Sequence, residues 1–301
     1  MKKVLIIGSG PIGQEYFKIF ESLKSDVRLL SRSFGNKNIN ISEDKVIKGD
    51  VFQQKVDLIN KFDYVVIAVQ PRFSLDILLY LLKNTKSKIL IEKPVGLSSL
   101  DFKKINCEEF DERVYVAFNR RWFNSIKNLK KELEDKETLT VNIEFTEHNS
   151  RMKGSAEELE RWAIANSIHV IDMGLFLFGV PKISFLKNEN NSGVQIIEAR
   201  AEHKKITFYF KAYWGGAGNW NISILTNKAN YVLNPIENLN KQNIESFKKE
   251  VINSSSTKND YKPGFFEQSK SFLESERGDF ANYNYYKNLI NLIEKLMNYD
   301  N

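Results

Sequence analysis

The chain has 301 residues, of which 42% are hydrophobic, so it can bury a substantial core and is not an intrinsically disordered protein. Its 44 lysines and arginines outnumber its 38 aspartates and glutamates, which gives a formal net charge of +6. A nucleic-acid partner is not expected, because the basic residues are scattered and a single cysteine excludes a zinc finger built on paired cysteines.

The cysteine and the apolar runs also bear on location. Cys107 cannot form a disulfide within the chain and is typical of a reducing compartment, so we expect a cytoplasmic protein. The apolar run Val4–Ile7 stops at Gly8, short of the roughly 7 residues that a signal peptide requires. No stretch of about 18 apolar residues runs without a charge, so no membrane partner is expected.

The first 119 residues alternate short apolar runs with helical periodicity. The predicted strands cover Val4–Ile7, Val27–Leu30, Tyr64–Val69, Ile89–Ile91 and Val114–Phe118. The predicted helices cover Pro11–Leu23, Ser74–Leu82 and Ser98–Asn106. This alternation predicts a doubly wound parallel sheet, a Rossmann α/β domain over residues 1–119, whose ligands bind at the carboxyl ends of the strands.

After residue 119 the pattern changes to a charged helix, Asn124–Leu133, followed by strands of alternating polarity. These strands cover Leu139–Glu147, Ile183–Lys187, Gln195–Glu202, Lys205–Trp214, Trp220–Thr226 and Tyr231–Leu233. We expect residues 120–301 to form an α+β domain for substrate binding and oligomerisation, with an open, mostly antiparallel sheet. A surface loop is predicted over Asn253–Asp260, and a last helix over Phe280–Asn298.

One face of the strand that ends at Trp214 carries Thr207, Tyr209, Lys211 and Tyr213. This face is amphipathic rather than plainly polar, so it is suited to being covered by another subunit. We therefore expect a homo-oligomer that assembles through the C-terminal sheet. An aromatic surface on a monomer is the alternative.

A glycine-rich turn, Gly8-Ser9-Gly10-Pro11-Ile12-Gly13, follows the first predicted strand and opens a helix. Gly8 permits a tight turn, Gly10 lets the backbone approach a pyrophosphate, and Gly13 lets the helix pack on the sheet. Pro11 suits a first helical turn, where its missing N–H would be unpaired anyway. The helix N-terminus then presents N–H groups to phosphates. The turn predicts a dinucleotide site with contacts from Gly8, Gly10, Pro11, Ile12 and Gly13.

The end of the second predicted strand bears on which dinucleotide binds. An NAD site uses an acidic side chain about 20 residues past the glycines to accept from the ribose 2′-OH. Ser31 and Arg32 stand there instead, and a hydroxyl with a guanidinium would hold a 2′-phosphate. NADP(H) is therefore the preferred cofactor. NAD(H) is the alternative, because Arg32 could also stack on adenine.

Further motifs follow the glycine-rich turn in order. They are Val69-Gln70-Pro71, Glu92-Lys93-Pro94, Asn119-Arg120-Arg121-Trp122, His169-Val170-Ile171-Asp172 and the segment from Lys262 to Gln268. Together with the turn they resemble the Gfo/Idh/MocA oxidoreductases, a family that includes glucose-fructose oxidoreductase and inositol dehydrogenase. The resemblance covers nearly the whole chain. The ordered set is specific, whereas each motif alone is not.

The resemblance implies an NAD(P)-dependent dehydrogenase that acts on CH–OH groups. It implies that Lys93 contacts the nicotinamide ribose and a substrate hydroxyl, and that His169 is the acid/base residue. Hydride transfer from a secondary alcohol requires a proton to leave the oxygen, which suits histidine, and an ammonium stabilises developing alkoxide charge. A cis Lys93–Pro94 peptide would turn the lysine into the cleft. The predicted cofactor contacts from these motifs are Val69, Gln70, Pro71, Glu92 and Lys93.

The histidine lies in an apolar stretch that predicts a helix closed by Gly179. Asn166 and Asp172 are each three residues from His169, so one helix face can carry all three. A core histidine satisfied by Asp172 is the alternative. Many family members carry an aspartate four residues before this histidine, but Ala165 stands there, and Asn166 could supply a hydrogen bond instead.

The predicted substrate contacts are Arg121, Trp122, Asn166, Asp172 and Lys262. A guanidinium at Arg121 pairs with oxyanions, and the indole of Trp122 stacks on apolar sugar faces. Pairing of Arg121 across the domain boundary is the alternative, and an exposed Lys262 is the default for that residue. His148 and His203 show no metal-ligand spacing, so no metal is predicted.

The predicted function is the interconversion of a hydroxyl and a ketone on a sugar, polyol or nucleotide sugar by hydride transfer. A noncatalytic dinucleotide-binding sensor or regulatory protein on the same scaffold is the first alternative, because the carboxylate expected at Ala165 is missing. An enzyme of the same fold that acts on a non-sugar, such as a tetrapyrrole or an imine, is the second.

Overall fold

The computed structural model describes residues 1–32, 41–252 and 261–299. The loop predicted over residues 253–260 lies outside the described residues. The chain divides into two compact units, one of Met1–Asn119 with Asn259–Asn284 and one of Arg120–Lys258 with Tyr285–Asn301. The units differ from the predicted domains, 1–119 and 120–301, because residues 259–284 group with the first unit.

The described part of the first unit contains a six-stranded parallel sheet. Its strands are β1 (Lys3–Ile7), β2 (Asp26–Ser31), β3 (Val46–Lys48), β4 (Tyr64–Ile67), β5 (Lys88–Glu92) and β6 (Val114–Ala117). Their order, β3-β2-β1-β4-β5-β6, is that of a doubly wound fold, so the predicted Rossmann architecture is confirmed. The sequence does not predict β3, because its three residues are too short to show a pattern.

The helices that follow these strands are α1 (Pro11–Ser22), α2 (Val56–Ile59), α3 (Pro71–Asn84) and α4 (Cys107–Arg113). The single helix predicted over Ser98–Asn106 is wrong. A 3₁₀ turn, Ser99–Lys104, occupies most of that stretch, and α4 begins after it. The physical reason is a cap: Asn106 Oδ1 accepts a hydrogen bond from the backbone N–H of Glu109 at 3.0 Å, which starts a new helix.

The second unit is built on an eight-stranded sheet within the described ranges. Its strands are β7 (Thr138–Phe145), β8 (Lys182–Asn191), β9 (Val194–His203), β10 (Ile206–Trp214), β11 (Trp220–Thr226), β12 (Ala229–Leu233), β13 (Leu239–Asn243) and β14 (Glu250–Ile252). The order is β14-β13-β12-β11-β7-β10-β9-β8, and only the β7–β10 pair is parallel. The predicted open, mostly antiparallel sheet is confirmed. The sequence does not predict β13, because only Leu239 in that strand is apolar.

The remaining helices are α5 (Asn124–Leu133), α6 (Ala156–Glu160), α7 (Ile168–Leu175), α8 (Phe265–Glu274) and α9 (Tyr283–Met297). In the second unit all eight residues of α7 are buried, and this helix packs closely on β7. A Cβ added at Gly174 of α7 would lie 2.5 Å from Ile143 Cδ1 on β7. The sheet therefore supports α7 directly. None of the helices in the described ranges is long and apolar enough to pass through a bilayer.

The strand β10 shows how the second sheet distributes its side chains. Phe208, Phe210 and Ala212 are fully buried, whereas Tyr209 between them is 38% exposed. One face of the sheet is thus packed within the unit, and the other is open along this strand. The alternation matches the pattern predicted from the sequence.

Candidate functional site

The turn between β1 and α1 carries the three predicted glycines. Gly8 has a φ of +115°, and a Cβ there would lie 2.2 Å from the carbonyl oxygen of Ala68. A Cβ at Gly13 would lie 1.9 Å from the carbonyl oxygen of Gly8. A Cβ at Gly10, in contrast, would have no described atom within 4 Å. Backbone therefore occupies the space beside Gly8 and Gly13, and the space beside Gly10 is open, as a site for a pyrophosphate requires.

The same turn is linked to the end of β2. Ser9 Oγ and Ser31 Oγ lie 2.6 Å apart, and both side chains are buried. Gln14 Nε2 donates to the carbonyl oxygen of Ser9 at 3.0 Å. No side chain caps α1, which begins at exposed Pro11 and continues with half-buried Ile12. The first-turn N–H groups of α1 are thus suited to an anionic ligand.

Arg32 follows β2 and lies over an aromatic ring. Its guanidinium carbon is 5.0 Å from the ring centroid of Phe73, and that of Arg72 is 4.6 Å from the same centroid. Arg32 Nη1 also lies 3.4 Å from Asp50 Oδ2. Two guanidinium groups therefore share one ring beside one carboxylate. Arg32 is a predicted cofactor contact, whereas Arg72 is not, although Arg72 directly follows the predicted contact Pro71.

The segment Val69-Gln70-Pro71 connects β4 to α3. Because β4 pairs with β1, this segment lies beside the glycine-rich turn. Val69 Cγ1 would lie 3.2 Å from a Cβ at Gly8. Gln70 is exposed immediately before α3, and Pro71 is the first helical residue. These predicted cofactor contacts therefore gather at the carboxyl edge of the parallel sheet.

Glu92, the last residue of β5, is held by α1. Tyr16 Oη donates to Glu92 Oε1 at 2.6 Å, and Gln268 Nε2 on α8 donates to Tyr16 Oη at 3.0 Å. Burial raises the pKa of Glu92, whereas the hydrogen bond from Tyr16 and the charges of Lys93 and Lys262 oppose that shift. Gln268 belongs to a predicted motif, but its contact with Tyr16 depends on tertiary packing and is not predicted from the sequence.

Lys93 follows Glu92 directly, and the Lys93–Pro94 peptide is cis. The sheet order places β5 beside β4, so Lys93 and the Val69-Gln70-Pro71 segment follow neighbouring strands. Lys262 is exposed, and its backbone N–H donates to Glu15 Oε1 at 2.7 Å. The first unit therefore carries the predicted lysine at the strand edge where its predicted cofactor contacts lie.

Arg121 and Asp172, both predicted to contact substrate, bind each other in the second unit. Arg121 Nε donates to Asp172 Oδ2 at 2.8 Å, and Arg121 Nη2 donates to Oδ1. Tyr285 Oη donates to Asp172 Oδ1 at 2.9 Å. Only 4% of the arginine side chain and 1% of the aspartate side chain are exposed. Burial and then the charge of Asp172 raise the pKa of Tyr285, which keeps its hydroxyl a donor.

These contacts change the interpretation of three predicted residues. The charges of Arg121 and Asp172 compensate each other, and Trp122 next to Arg121 is only 6% exposed. Removing one partner of such a buried ion pair strongly destabilises the folded protein, because it leaves a buried charge without compensation. Tyr285 is not among the predicted site residues, because no local pattern connects the start of the last helix with Asp172.

His169 is the second residue of α7 and is 7% exposed. A π-helical turn, Ala163–Ser167, precedes it. Because a π turn closes i→i+5 hydrogen bonds, the α-helical spacing that predicts one shared face does not extend to Asn166, whereas His169 and Asp172 both lie in α7 and keep that spacing. Asn166 Nδ2 donates to Glu147 Oε1 at 3.0 Å, whereas Asp172 binds Arg121. Glu147 is not among the predicted site residues, although it ends a predicted strand.

Most of the first unit is similar to a known protein family. Residues 2–118 match the model of the GFO_IDH_MocA family, described as an oxidoreductase family with an NAD-binding Rossmann fold. The chain carries the NAD-binding domain of the Gfo/Idh/MocA oxidoreductases. The resemblance drawn from the motifs is therefore confirmed, as is the predicted class of NAD(P)-dependent oxidoreductase. No curated protein matches the sequence.

Solved structures share the fold of this chain. A dehydrogenase (MviM) from Clostridium difficile is 19% identical with a TM-score of 0.75, and the match covers 99% of each chain. An Agrobacterium radiobacter oxidoreductase, solved with NAD+, L-tartaric acid and magnesium, is 15% identical with a TM-score of 0.71, covering 99% of this chain and 96% of that one. A UDP-N-acetylglucosamine 3-dehydrogenase from Acidithiobacillus ferrooxidans is 11% identical with a TM-score of 0.73, covering 98% and 96%. At these identities the likeness shows the fold.

The glycine-rich turn of this Gfo/Idh/MocA domain provides a matched pair of variants. Gly10→Ala adds a methyl group to open space, so we expect the melting temperature to hold while the dissociation constant for NADPH rises by about tenfold or more. Gly13→Ala forces a methyl group against backbone, so overpacking of about 1–3 kcal/mol should lower the melting temperature by several degrees.

Thermal unfolding and fluorescence titration with NADPH measure the two effects separately. Equal loss of melting temperature in Gly10→Ala and Gly13→Ala would show that the space beside Gly10 is not reserved for a ligand. Unchanged NADPH affinity in a stable Gly10→Ala variant would show the same.

Proposed function

We propose that the protein is an NADP(H)-preferring dehydrogenase that interconverts a hydroxyl and a ketone on a sugar, polyol or nucleotide sugar. The observation that carries this proposal is the β1–α1 turn, which leaves space beside Gly10 while backbone fills the space beside Gly8 and Gly13. The solved UDP-N-acetylglucosamine 3-dehydrogenase with the same fold supports a sugar-like substrate.

The cofactor preference follows from charge at the end of β2. Arg32 and Arg72 place two guanidinium groups on the ring of Phe73, and guanidinium binds phosphate oxygens through charge-assisted hydrogen bonds. Ser31 adds a buried hydroxyl that already contacts the glycine-rich turn. Asp50 Oδ2 lies 3.4 Å from Arg32 Nη1 and offsets part of its charge. The balance favours a 2′-phosphate and therefore NADP(H).

The proposed catalytic residues are Lys93 and His169. When bound, the nicotinamide supplies the hydride chemistry. Lys93, at the carboxyl edge of the first sheet, donates a hydrogen bond to the substrate oxygen and stabilises negative charge there. His169 exchanges the hydroxyl proton, a step suited to the only side chain whose ordinary pKa lies near neutrality.

Substrate contacts are assigned to Asn166 and Lys262, whose side chains are half-buried and exposed, respectively. Arg121 and Asp172 instead act by positioning, because their charges bind each other and fix α7, the helix that carries His169. An uncharged, hydroxyl-rich substrate matches this assignment, because the charges of Arg121 and Asp172 compensate each other within the protein.

The cofactor preference is tested with Arg32→Ala and Arg72→Ala. Each variant should raise the Michaelis constant for NADP+ by about tenfold and change that for NAD+ by less than about threefold, because only the former carries the 2′-phosphate. Arg28→Ala is the matched control, since Arg28 lies on β2, shortly before Arg32, and its Nη1 donates to the backbone carbonyl oxygen of Asp44 instead. A wild-type preference for NAD+ would contradict the proposal and would indicate that Asp50 accepts a hydrogen bond from the ribose 2′-OH.

The reaction is tested by nicotinamide absorbance with polyols, free sugars and UDP- or CMP-linked sugars. We expect turnover with at least one member of this panel. Lys93→Met should lower kcat by about 10²-fold or more with little change in NADPH affinity, because it removes charge stabilisation rather than cofactor contacts to phosphate. His169→Gln should remove the pH dependence of kcat assigned to the proton exchange. Tight NADPH binding without turnover across the panel would favour a sensor instead.

The proposed assembly is a homo-oligomer formed through the open face of the second sheet. Phe185 on β8 and Tyr209 on β10 both pair with Arg200 on the strand between them, and the two aromatic side chains are 56% and 38% exposed. This row of two aromatic groups around a guanidinium suits contact with a second copy.

Light scattering after gel filtration measures the assembly. The double variant Phe185→Glu with Tyr209→Glu should shift the protein from oligomer to monomer, because it places carboxylates in an interface core. Leu100→Glu, at an equally exposed apolar residue of the first unit, should leave the mass unchanged. A monomeric wild-type protein would refute the assembly.

A further inference from the structure

The buried carboxylate of Glu147 is not used by the mechanism above. It follows β7 in the second unit and is only 8% exposed. Its Oε1 atom accepts three hydrogen bonds, from Asn166 Nδ2 at 3.0 Å, Ser167 Oγ at 2.7 Å and Trp220 Nε1 at 3.1 Å. All three donors are neutral. An isolated buried charge is unfavourable, and these three donors stabilise the carboxylate of Glu147 inside the second unit.

The donors come from two separate elements. Asn166 and Ser167 are the last residues of the π-helical turn that precedes α7, and Trp220 is the first residue of β11. Glu147 therefore holds the wide turn of the chain that leads directly to His169. Single π turns inside helices are frequent at functional sites, because they redirect side chains that an α-helix would stack.

The backbone around Glu147 fixes a third segment, the glycine-rich connection between β10 and β11. The Gly215 N–H donates to the carbonyl oxygen of Glu147 at 3.0 Å. His148 Nε2 lies within hydrogen-bond distance, 2.9 Å, of the Gly218 carbonyl oxygen. Arg120 lies over the ring of Trp220 at 5.2 Å. The Glu147 carboxylate thus joins the π turn to β11, while the backbone of Glu147 and the side chain of His148 bind the loop.

The two oxygens of this carboxylate have different surroundings. Every hydrogen bond that the described residues make to the Glu147 side chain goes to Oε1. Within the described chain, Oε2 takes part in none of these hydrogen bonds and in no ion pair. A carboxylate oxygen accepts hydrogen bonds only, so the group that would complete this site is a donor.

We propose that Glu147 is a substrate-binding residue whose second carboxylate oxygen accepts a hydrogen bond from a hydroxyl of a neutral polyol or sugar ring. This inference rests on the proposed function, since it names the acceptor that orients the substrate near the helix of His169. A substrate bearing a carboxylate or phosphate at this point would be repelled by the charge of Glu147. The site therefore selects for a hydroxyl at one ring position.

Trp220 provides a direct reporter of the site, because its indole N–H donates to Glu147. The chain contains four tryptophans, so protein labelled with 5-fluorotryptophan gives four fluorine signals, and Trp220→Phe assigns the relevant one. The labelled protein is titrated with myo-inositol, glucose and UDP-N-acetylglucosamine in the presence of NADPH, which leaves their hydroxyl groups unoxidised.

We expect at least one of these probes to shift the Trp220 signal saturably. Glu147→Gln should weaken its binding by about tenfold or more, because an amide oxygen replaces a charged acceptor. Glu144→Gln is the matched control, since Glu144 lies on β7 just before Glu147 and its side chain accepts a hydrogen bond from Thr146 Oγ1 at 3.5 Å. The Glu144→Gln variant should bind the probe with the same affinity as the wild type.

Monodeoxy analogues of the bound probe test the proposal without altering the protein. One analogue should bind about tenfold more weakly than the parent, and the others should bind nearly as well, because a site built around one hydroxyl rejects the compound that lacks it. An unmoved Trp220 signal with every probe, or equal affinity for all analogues, would overturn the proposal. Probe binding without turnover would retain the inference and refute the dehydrogenase instead.

Discussion

The contact between α1 and β1 is the constraint on which the first unit depends. Gly13 packs so closely on the carbonyl oxygen of Gly8 that a single methyl group would overlap it, and Gly8 packs equally closely on Ala68. These contacts place the first turn of α1 directly beyond the end of β1. Because the helix N-terminus and the neighbouring strand ends then meet at one edge, the anion-binding turn and the segments after β4 and β5 lie together.

The second unit shows two solutions to the problem of a buried carboxylate. Asp172 is compensated by the charge of Arg121 and by the Tyr285 hydroxyl, a closed arrangement within the protein. Glu147 is surrounded by neutral donors that all reach one oxygen. The first arrangement fixes α7 to its surroundings, whereas the second leaves acceptor capacity. This difference supports the positioning role proposed for Asp172 and the binding role proposed for Glu147.

Sequence patterns predicted the parts of the molecule that depend on neighbouring residues. Helix α5 and strand β11 begin and end where the sequence predicts them, because each has a regular pattern of apolar residues. The predicted helix over Ser98–Asn106 failed where a local cap competes with helical propensity. Strand β13 was not predicted, because its mostly polar residues pair with β12 through backbone hydrogen bonds, which do not depend on a pattern of side-chain polarity.

The sequence by itself determined the dinucleotide turn and the two sheet types, since these depend on glycine spacing and on periods of two and 3.6 residues, and its ordered motifs carried the resemblance to the Gfo/Idh/MocA oxidoreductases. Only the tertiary structure decided what the polar side chains contact. It paired Arg121 with Asp172, brought Arg72 beside Arg32, and directed Asn166 to Glu147 through a π turn. Such partners are distant along the chain, so their selection depends on how helices and strands pack rather than on any local pattern.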